Sequence, residues 1–309
     1  MIYTVTVNPA IDYMIEIDAL QVGEIHPYLN QQYAPGGKGV NVSLMLSALG
    51  EPNTALGICS GFSGEEIIRL LRQKGCIPNF VFSAGGHSRV NIKVYAGDGR
   101  ETDFNGKGPE LTQADVQSLF DKLRTVSPGD YVVLAGSLPA GVEDTLYADI
   151  CKILDGTGAQ VVVDAVGSTL LHTLAYRPFL IKPNHEELGE LFDVKIETRQ
   201  QAEEYGKKLL EMGAQNVLVS MGSMGALLLQ KRDSLFMPAV SGQKVSTVGA
   251  GDSMVAGFLH GYIRSFDMSE GLKLGTAAGA ATAFTKSIAS AEEVQAIYAA
   301  MTAEDKHYT

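Results

Sequence analysis

From Thr247 to Phe258 the chain reads Thr-Val-Gly-Ala-Gly-Asp-Ser-Met-Val-Ala-Gly-Phe. Small residues lead into one carboxylate, Asp252, and an apolar rhythm then begins at Val255, Phe258, Leu259, Tyr262 and Ile263. That is helical spacing, so a glycine-rich turn feeds a helix that carries an acid in its first turn. Bare N–H groups at a helix start attract anions, and glycine lets a phosphate come close. A carboxylate would repel that phosphate unless it had another task, and taking a proton from an attacking hydroxyl is such a task. The plainer reading is an aspartate capping a helix beside a tight turn.

A second cluster, Pro35-Gly36-Gly37-Lys38-Gly39-Val40-Asn41, precedes a helix with apolar Val42, Met45, Leu46 and Leu49. It is not a P-loop, because Gly39 stands where Ser or Thr would hold magnesium; neither cluster is a dinucleotide fingerprint. Its adjacent glycines could let a sugar hydroxyl or a phosphate approach the backbone, or could form an ordinary turn. Asp12, at the end of the first strand, could accept bonds from two sugar hydroxyls, although a solvated loop aspartate looks the same. Asn184 and Glu187 are three apart at a helix start and could hold a magnesium water shell; spacing alone favours a capping box. Ser220, Gly222 and Gly225 belong to a turn between two strands that could pass under a nucleoside, or simply close a hairpin. Arg89, Lys93 and Lys107 are cations near one another in sequence that could bind a substrate phosphate. His26, His87, His172, His185, His260 and His307 lack metal-ligand spacing, so no structural metal is expected.

These groups need a scaffold. From about residue 130, short β-branched runs alternate with amphipathic helices: strands at 131–136, 161–164, 179–182, 216–220 and 226–230, helices at 144–154, 186–192 and 199–212. Such alternation predicts parallel βαβ units in a sheet with helices on both faces. Ligands in such folds sit at the carboxyl ends of the strands, where Ser137, Asp164, Asn184 and Gly222 fall. The N-terminal third differs. Polar, thinly apolar strands are expected at 12–18, 26–33, 90–95 and 101–105, with Asp98-Gly99 as a hairpin turn. They read as a small antiparallel sheet lying over the site as a lid, inserted in two pieces at about 12–34 and 88–106 of one domain spanning 1–309. An edge extension of the main sheet is the alternative.

Length and composition set the outer bounds. The 309 residues suffice for one large domain with a small attachment. A net charge of -11 argues against nucleic-acid or anionic-membrane partners. No apolar run approaches a membrane span, and no basic leader precedes the first strand, so no signal peptide is expected. Cys59, Cys76 and Cys151 are few and scattered, which fits free thiols in a reducing cytoplasm.

Four segments occur in an order that resembles the ribokinase-type (PfkB) carbohydrate kinases over essentially the whole chain. They are 35–42, Ala135-Gly136-Ser137-Leu138-Pro139, Lys182-Pro183-Asn184-His185-Glu186-Glu187 and 247–253. The opening Thr4 to Asp12, the lysine in Gly36-Gly37-Lys38-Gly39 and Asn105-Gly106-Lys107-Gly108-Pro109 are similar to that family's phosphosugar branch. Leu44 departs from it, since an arginine is the family's residue there. The resemblance implies a ribokinase-like three-layer α/β/α sandwich with a mostly parallel sheet and a β lid. It implies ATP- and magnesium-dependent phosphorylation of fructose 1-phosphate at its 6-hydroxyl, with tagatose 6-phosphate as the alternative substrate and a non-catalytic sugar or nucleotide sensor as the alternative of another class. It also implies roles. Asp252 is the base, and Gly249, Ala250 and Gly251 face the transition-state charge. Asp12, Gly37 and Asn41 hold sugar hydroxyls, and Lys38, Arg89 and Ser137 contact phosphate. Lys182, Asn184, Ser220, Gly222, Gly225 and Gly251 serve ATP, and Asn184 with Glu187 positions magnesium through water. The exposed face of a thin lid predicts a homodimer formed lid to lid.

Overall fold

The structure is a computed structural model that describes residues 1–305; residues 306–309, with His307, lie outside the described part. The first half of the chain forms β1 (Ile2–Thr6), β2 (Ala10–Ile17), β3 (Asn30–Gly36), α1 (Lys38–Ala48), β4 (Asn53–Ser60), α2 (Gly61–Gln73), β5 (Ile77–Pro78), β6 (Val81–Ser83), β7 (Arg89–Ala96), β8 (Glu101–Phe104), α3 (Gln113–Leu123), β9 (Tyr131–Ala135) and α4 (Leu146–Leu154). The second half forms β10 (Gln160–Asp164), α5 (Gly167–Thr173), β11 (Leu180–Ile181), α6 (His185–Leu191), α7 (Arg199–Met212), β12 (Asn216–Ser220), β13 (Ala226–Gln230), β14 (Ser234–Met237), α8 (Ala250–Ser265), α9 (Met268–Ala283) and α10 (Ala291–Asp305).

The large sheet runs β14-β13-β12-β11-β10-β9-β1-β4-β5, with β6 beside β4. It is parallel from β5 to β12 and antiparallel across β12, β13 and β14. Alternate side chains of one strand point to opposite faces, and the strands build two cores in that way. Val132 and Leu134 of β9 and Val217 and Val219 of β12 pack with α3, α4 and α7. Tyr131, Val133 and Leu218 pack with α1, α8, α9 and α10 on the other face. Because both faces are covered, the central strands read as continuous apolar runs. No helix among the described residues is long and apolar enough to cross a membrane.

Helices α8 and α9 touch through glycines. A methyl at Gly257 would lie 2.6 Å from the Leu274 carbonyl oxygen, and one at Gly261 2.8 Å from that of Glu270. Their backbones therefore meet closely and hold α8, which carries Asp252 at its start, firmly against the sheet.

The second sheet has the order β3-β2-β7-β8. It is mixed rather than the antiparallel sheet expected from sequence. β2–β3 and β7–β8 are antiparallel hairpins, but β2 and β7 pair in parallel, with Asp12 opposite Asn91 and Met14 opposite Lys93. The reason is topological. β2 leaves the carboxyl end of β1 and β7 that of β6, and β1, β4 and β6 all run the same way, so the exiting strands run the same way too. β3 lies at 30–36 rather than 26–33, because its register is fixed by pairing with β2 from Ala10–Gly36 to Glu16–Asn30.

Candidate active site

Gly249 takes a left-handed conformation (φ 77°) and starts α8 with no side chain capping it. That conformation is cheap only for glycine; the Ala250 N–H donates to the Thr247 carbonyl at 3.3 Å, and no side chain covers the rest of the helix start. One turn in, Asp252 is 6% exposed. The Asn41 amide donates to its Oδ2 at 2.8 Å. Asn41 sits in the first turn of α1, which begins after Gly37 (φ 110°), and its N–H donates to the Gly37 carbonyl. Burial, then the nearby Asp164 charge, pushes the Asp252 carboxyl up to about 6, against the Asn41 bond and the Lys38 and Lys182 charges. A carboxylate so poised is a suitable proton acceptor near neutral pH.

Beside it lies an ion cluster built from two strand ends, at Asp164 and Lys182, and the starts of two helices, at Lys38 and Glu187. Asp164 closes β10 and is fully buried. Lys38 Nζ donates to its Oδ1 at 2.8 Å, and Lys182 Nζ lies 3.2 Å from its Oδ2. Lys38 also reaches Glu187 Oε1 at 3.5 Å. Burial pushes the Asp164 carboxyl up, but the Lys182 and Lys38 ammonium groups outweigh it and hold it below the usual carboxylate range. Burial pulls Lys38 down, yet Asp164 and Glu187 carry it well above the ordinary lysine value. Lys182 Nζ would be 3.2 Å from a methyl at Gly251, so the absence of a side chain there leaves this ammonium beside the helix start.

Asn184 and Glu187 form the capping box that their spacing predicts. Asn184 Oδ1 accepts from the Glu187 N–H at 2.7 Å, and Glu187 Oε2 from the Asn184 N–H at 2.8 Å. One oxygen of each is thereby engaged, and Glu187 Oε1 stays outside the cap. This set suits a magnesium ion met through its water shell better than one ligated directly.

On the small sheet, Asn91 Nδ2 donates to Asp12 Oδ1 at 2.8 Å, and its own Oδ1 accepts from the Gly106 N–H at 3.2 Å. Gly36 makes room for Asp12, since a methyl there would lie 2.6 Å from Oδ2. Arg89 turns its fork on the Asn8 carbonyl, with Nε at 3.1 Å and Nη2 at 2.8 Å.

One cavity of about 1080 Å³ joins these parts. Asp252, Gly249, Ala250 and Gly251 line it, as do Asp12, Gly37, Lys38, Asn41, Arg89 and Ser137, and Lys182, Asn184, Glu187, Ser220, Gly222 and Gly225. Lys107 is exposed and outside it. Leu44 packs beside the cluster formed by α2, Val40 and Ala55 and takes no part in the cavity. The sequence reading gave Asp164 a strand end but no role, and it assigned nothing to Asn8, Thr6 or Asn91, which also line the cavity. For Asp164 the strand end itself is the signal.

Comparison with known proteins meets this geometry. The model of the pfkB family of carbohydrate kinases matches residues 5–294. A 1-phosphofructokinase of Bacillus subtilis is 40% identical over 295 residues, covering 96% of each chain. A D-tagatose-1-phosphate kinase of Bacillus licheniformis is 38% identical over 93% of this chain and 94% of its own. The crystal structure of phosphofructokinase-2 from Escherichia coli in complex with substrates and products superposes with a TM-score of 0.92 at 27% identity, over 97% of this chain and 99% of that one. The chain belongs to the pfkB family of carbohydrate kinases. It has their ribokinase-like α/β fold, and it is a phosphotransferase with an alcohol group as acceptor. The family implies ATP as the phosphoryl donor.

Proposed function

We propose that this protein transfers the γ-phosphoryl group of ATP to the 6-hydroxyl of fructose 1-phosphate, giving fructose 1,6-bisphosphate. The observation that carries the reading is Asp252, a buried, hydrogen-bonded carboxylate at an uncapped helix start, in one cavity with Asp12 on the small sheet. Asp252 takes the proton from the attacking hydroxyl as the new P–O bond forms and the bond to the leaving ADP breaks. The backbone of Gly249, Ala250 and Gly251 faces the negative charge on the moving phosphoryl group. Lys38 and Lys182, held by Asp164, add two positive charges on the same side. Asp12, Gly37 and Asn41 orient the sugar hydroxyls, and Arg89 and Ser137 contact phosphate. Asn184, Ser220, Gly222 and Gly225 line the nucleotide end. Magnesium, when bound, neutralises charge on the ATP phosphates, with Asn184 and Glu187 holding its water shell. The small sheet acts as a lid that excludes water, so that the phosphoryl group meets the sugar.

The Bacillus licheniformis relative favours a second reading, phosphorylation of tagatose 1-phosphate. This differs from the tagatose 6-phosphate expected from sequence in where the sugar already carries its phosphate. Coupled assays with fructose 1-phosphate, tagatose 1-phosphate and tagatose 6-phosphate decide among them. The highest kcat/KM is expected for fructose 1-phosphate; a higher value for either tagatose ester would reassign the substrate.

We also propose that the lid pairs with a second copy. Tyr33, Tyr13, Ile92 and Phe104 stand opposite one another across its four strands on one face, and Tyr33, Ile92 and Phe104 are 49%, 40% and 55% exposed. Such a row of apolar side chains invites a partner. Light scattering at micromolar concentration is expected to give a dimer mass; a monomer would end the idea. A cytoplasmic setting suits the three free, buried cysteines.

A further inference from the structure

The lid carries a cation that neither the capping contacts nor the catalytic cluster uses. Lys93 is 6% exposed, it lines the cavity, and no protein group among the described residues accepts a hydrogen bond from its ammonium. Its nearest carboxylate oxygen, Asp12 Oδ2, is 3.9 Å away. That is an ion pair at the limit of contact, and the other oxygen of Asp12 is already taken by Asn91. Its donors therefore face the cavity with one marginal carboxylate contact, and an anion entering the cavity would meet them.

The other cations named from sequence for a substrate phosphate are placed differently. Lys38 is bound to Asp164 and Glu187. It belongs, with Lys182 and Asp164, to the charges that act on Asp252, which suits the phosphoryl group in transfer. Arg89 has two of its donors on the Asn8 carbonyl, and its remaining N–H groups are left for the phosphate contact proposed above. Lys107 is outside the cavity. Lys93 is on the same strand as Arg89, one position along the inner face from Asn91 and beside the carboxylate that faces the sugar hydroxyls. With the reacting hydroxyl at Asp252, the ester phosphate of a ketose phosphate is at the opposite end of the sugar, and the lid is the second place where cations gather.

We propose that Lys93, beyond the phosphate contacts of Arg89 and Ser137, reads the phosphate already present on the substrate, and so makes the enzyme select phosphorylated over free ketoses. The inference rests on the phosphosugar-kinase reading of the site. An ammonium presents three donors to a phosphate oxyanion, and the weak pair with Asp12 gives way to the stronger, doubly charged partner when substrate binds.

Lys93→Met keeps the length of the side chain and removes its charge. Losing one charge-assisted hydrogen bond is expected to raise KM for fructose 1-phosphate by about 10–100-fold. The KM for ATP and the melting temperature of the unliganded protein should not fall with it. Turnover of free fructose should change little, and Lys93→Arg should restore much of the phosphosugar affinity. An unchanged KM for fructose 1-phosphate would overturn the inference. So would an equal loss on fructose 1-phosphate and free fructose, the mark of a residue that only neutralises Asp12. Thermal stabilisation by added fructose 1-phosphate gives a readout independent of turnover. If the wild type binds the ester in that assay but phosphorylates no ketose phosphate, the proposed activity fails, and loss of the stabilisation in Lys93→Met still supports Lys93; retention of it refutes Lys93 alone.

Discussion

Asp252→Asn is expected to lower kcat by about 10²–10⁴-fold, the usual contribution of a general base, while making the folded protein more stable at neutral and alkaline pH. The two effects share one cause. Burial first, and the neighbouring Asp164 charge second, raise the Asp252 carboxyl from 3.8 to about 6. The folded state therefore binds more protons than the unfolded chain between those values, and stability falls as pH rises through that window. Below about 3.8 both states are protonated and nothing is lost; above about 6 the native state carries the whole cost, on the order of 3 kcal/mol. Asparagine removes the charge and keeps an oxygen for the Asn41 amide. Thermal melts should show the variant ahead of the wild type at pH 8 and level with it near pH 4. Wild-type kcat/KM, which reports the free enzyme's base, should drop as pH falls through about 6. A variant with near-normal turnover would remove Asp252 from the chemistry. One that melts lower than wild type at pH 8 would contradict the burial argument. Such a balance, stability surrendered for a working group, is common in active sites.

What the sequence discloses about this molecule follows the range of the forces involved. Helix α7 has the bounds that its pattern predicts, 199–212, because Thr198 and Gln201 cap it locally and its apolar stripe is periodic. Strands β12 and β13 are equally plain, as short β-branched or leucine runs with a glycine turn between them. β4 is not marked by any pattern read above. Six of its residues in a row, from Ala55 to Ser60, are buried, so it shows no alternation, and Gly57 interrupts it with φ 148° because a methyl there would meet the Thr6 carbonyl oxygen at 1.9 Å. The hairpins of the small sheet are legible from alternation and from Asp98-Gly99, but their parallel union through β2 and β7 depends on where the large sheet releases them. The site divides in the same way. Glycine clusters at helix starts announce Asp252 and Lys38. The bond between Lys38 and Asp164 joins residues 126 positions apart, and no local pattern encodes it. Arg89, Lys93 and Lys107 read alike as candidate phosphate cations; the pairing of Met14 with Lys93 is what turns Lys93 inward beside Asp12, while Lys107 stays outside the cavity.

Asp164 should prove as consequential as the base, by a different route. It is a fully buried carboxylate between two ammonium groups, and Lys182 is itself only 4% exposed at the side chain. Asp164→Leu fills the space but leaves both lysines without their counter-ion, which is expected to cost about 3–5 kcal/mol in urea melts. Asp164→Asn keeps a polar partner and should fold with a smaller loss, so it isolates the effect on chemistry. Two changes then act together on Asp252. The negative charge that raises its carboxyl is gone, and the Lys38 and Lys182 charges that lower it are no longer offset. Both favour the ionised base, so the acid limb of the kcat/KM profile should move to lower pH. At the same time one of the two oxygens that aim Lys38 and Lys182 at the helix start becomes an NH2 group, and the resulting misplacement is expected to reduce kcat by up to about 100-fold. An acid limb that stays in place would show that Asp164 serves only to hold the fold. A limb that moves down while kcat falls would mean that one buried carboxylate both anchors the cations facing the phosphoryl group and sets the pH at which Asp252 can take a proton.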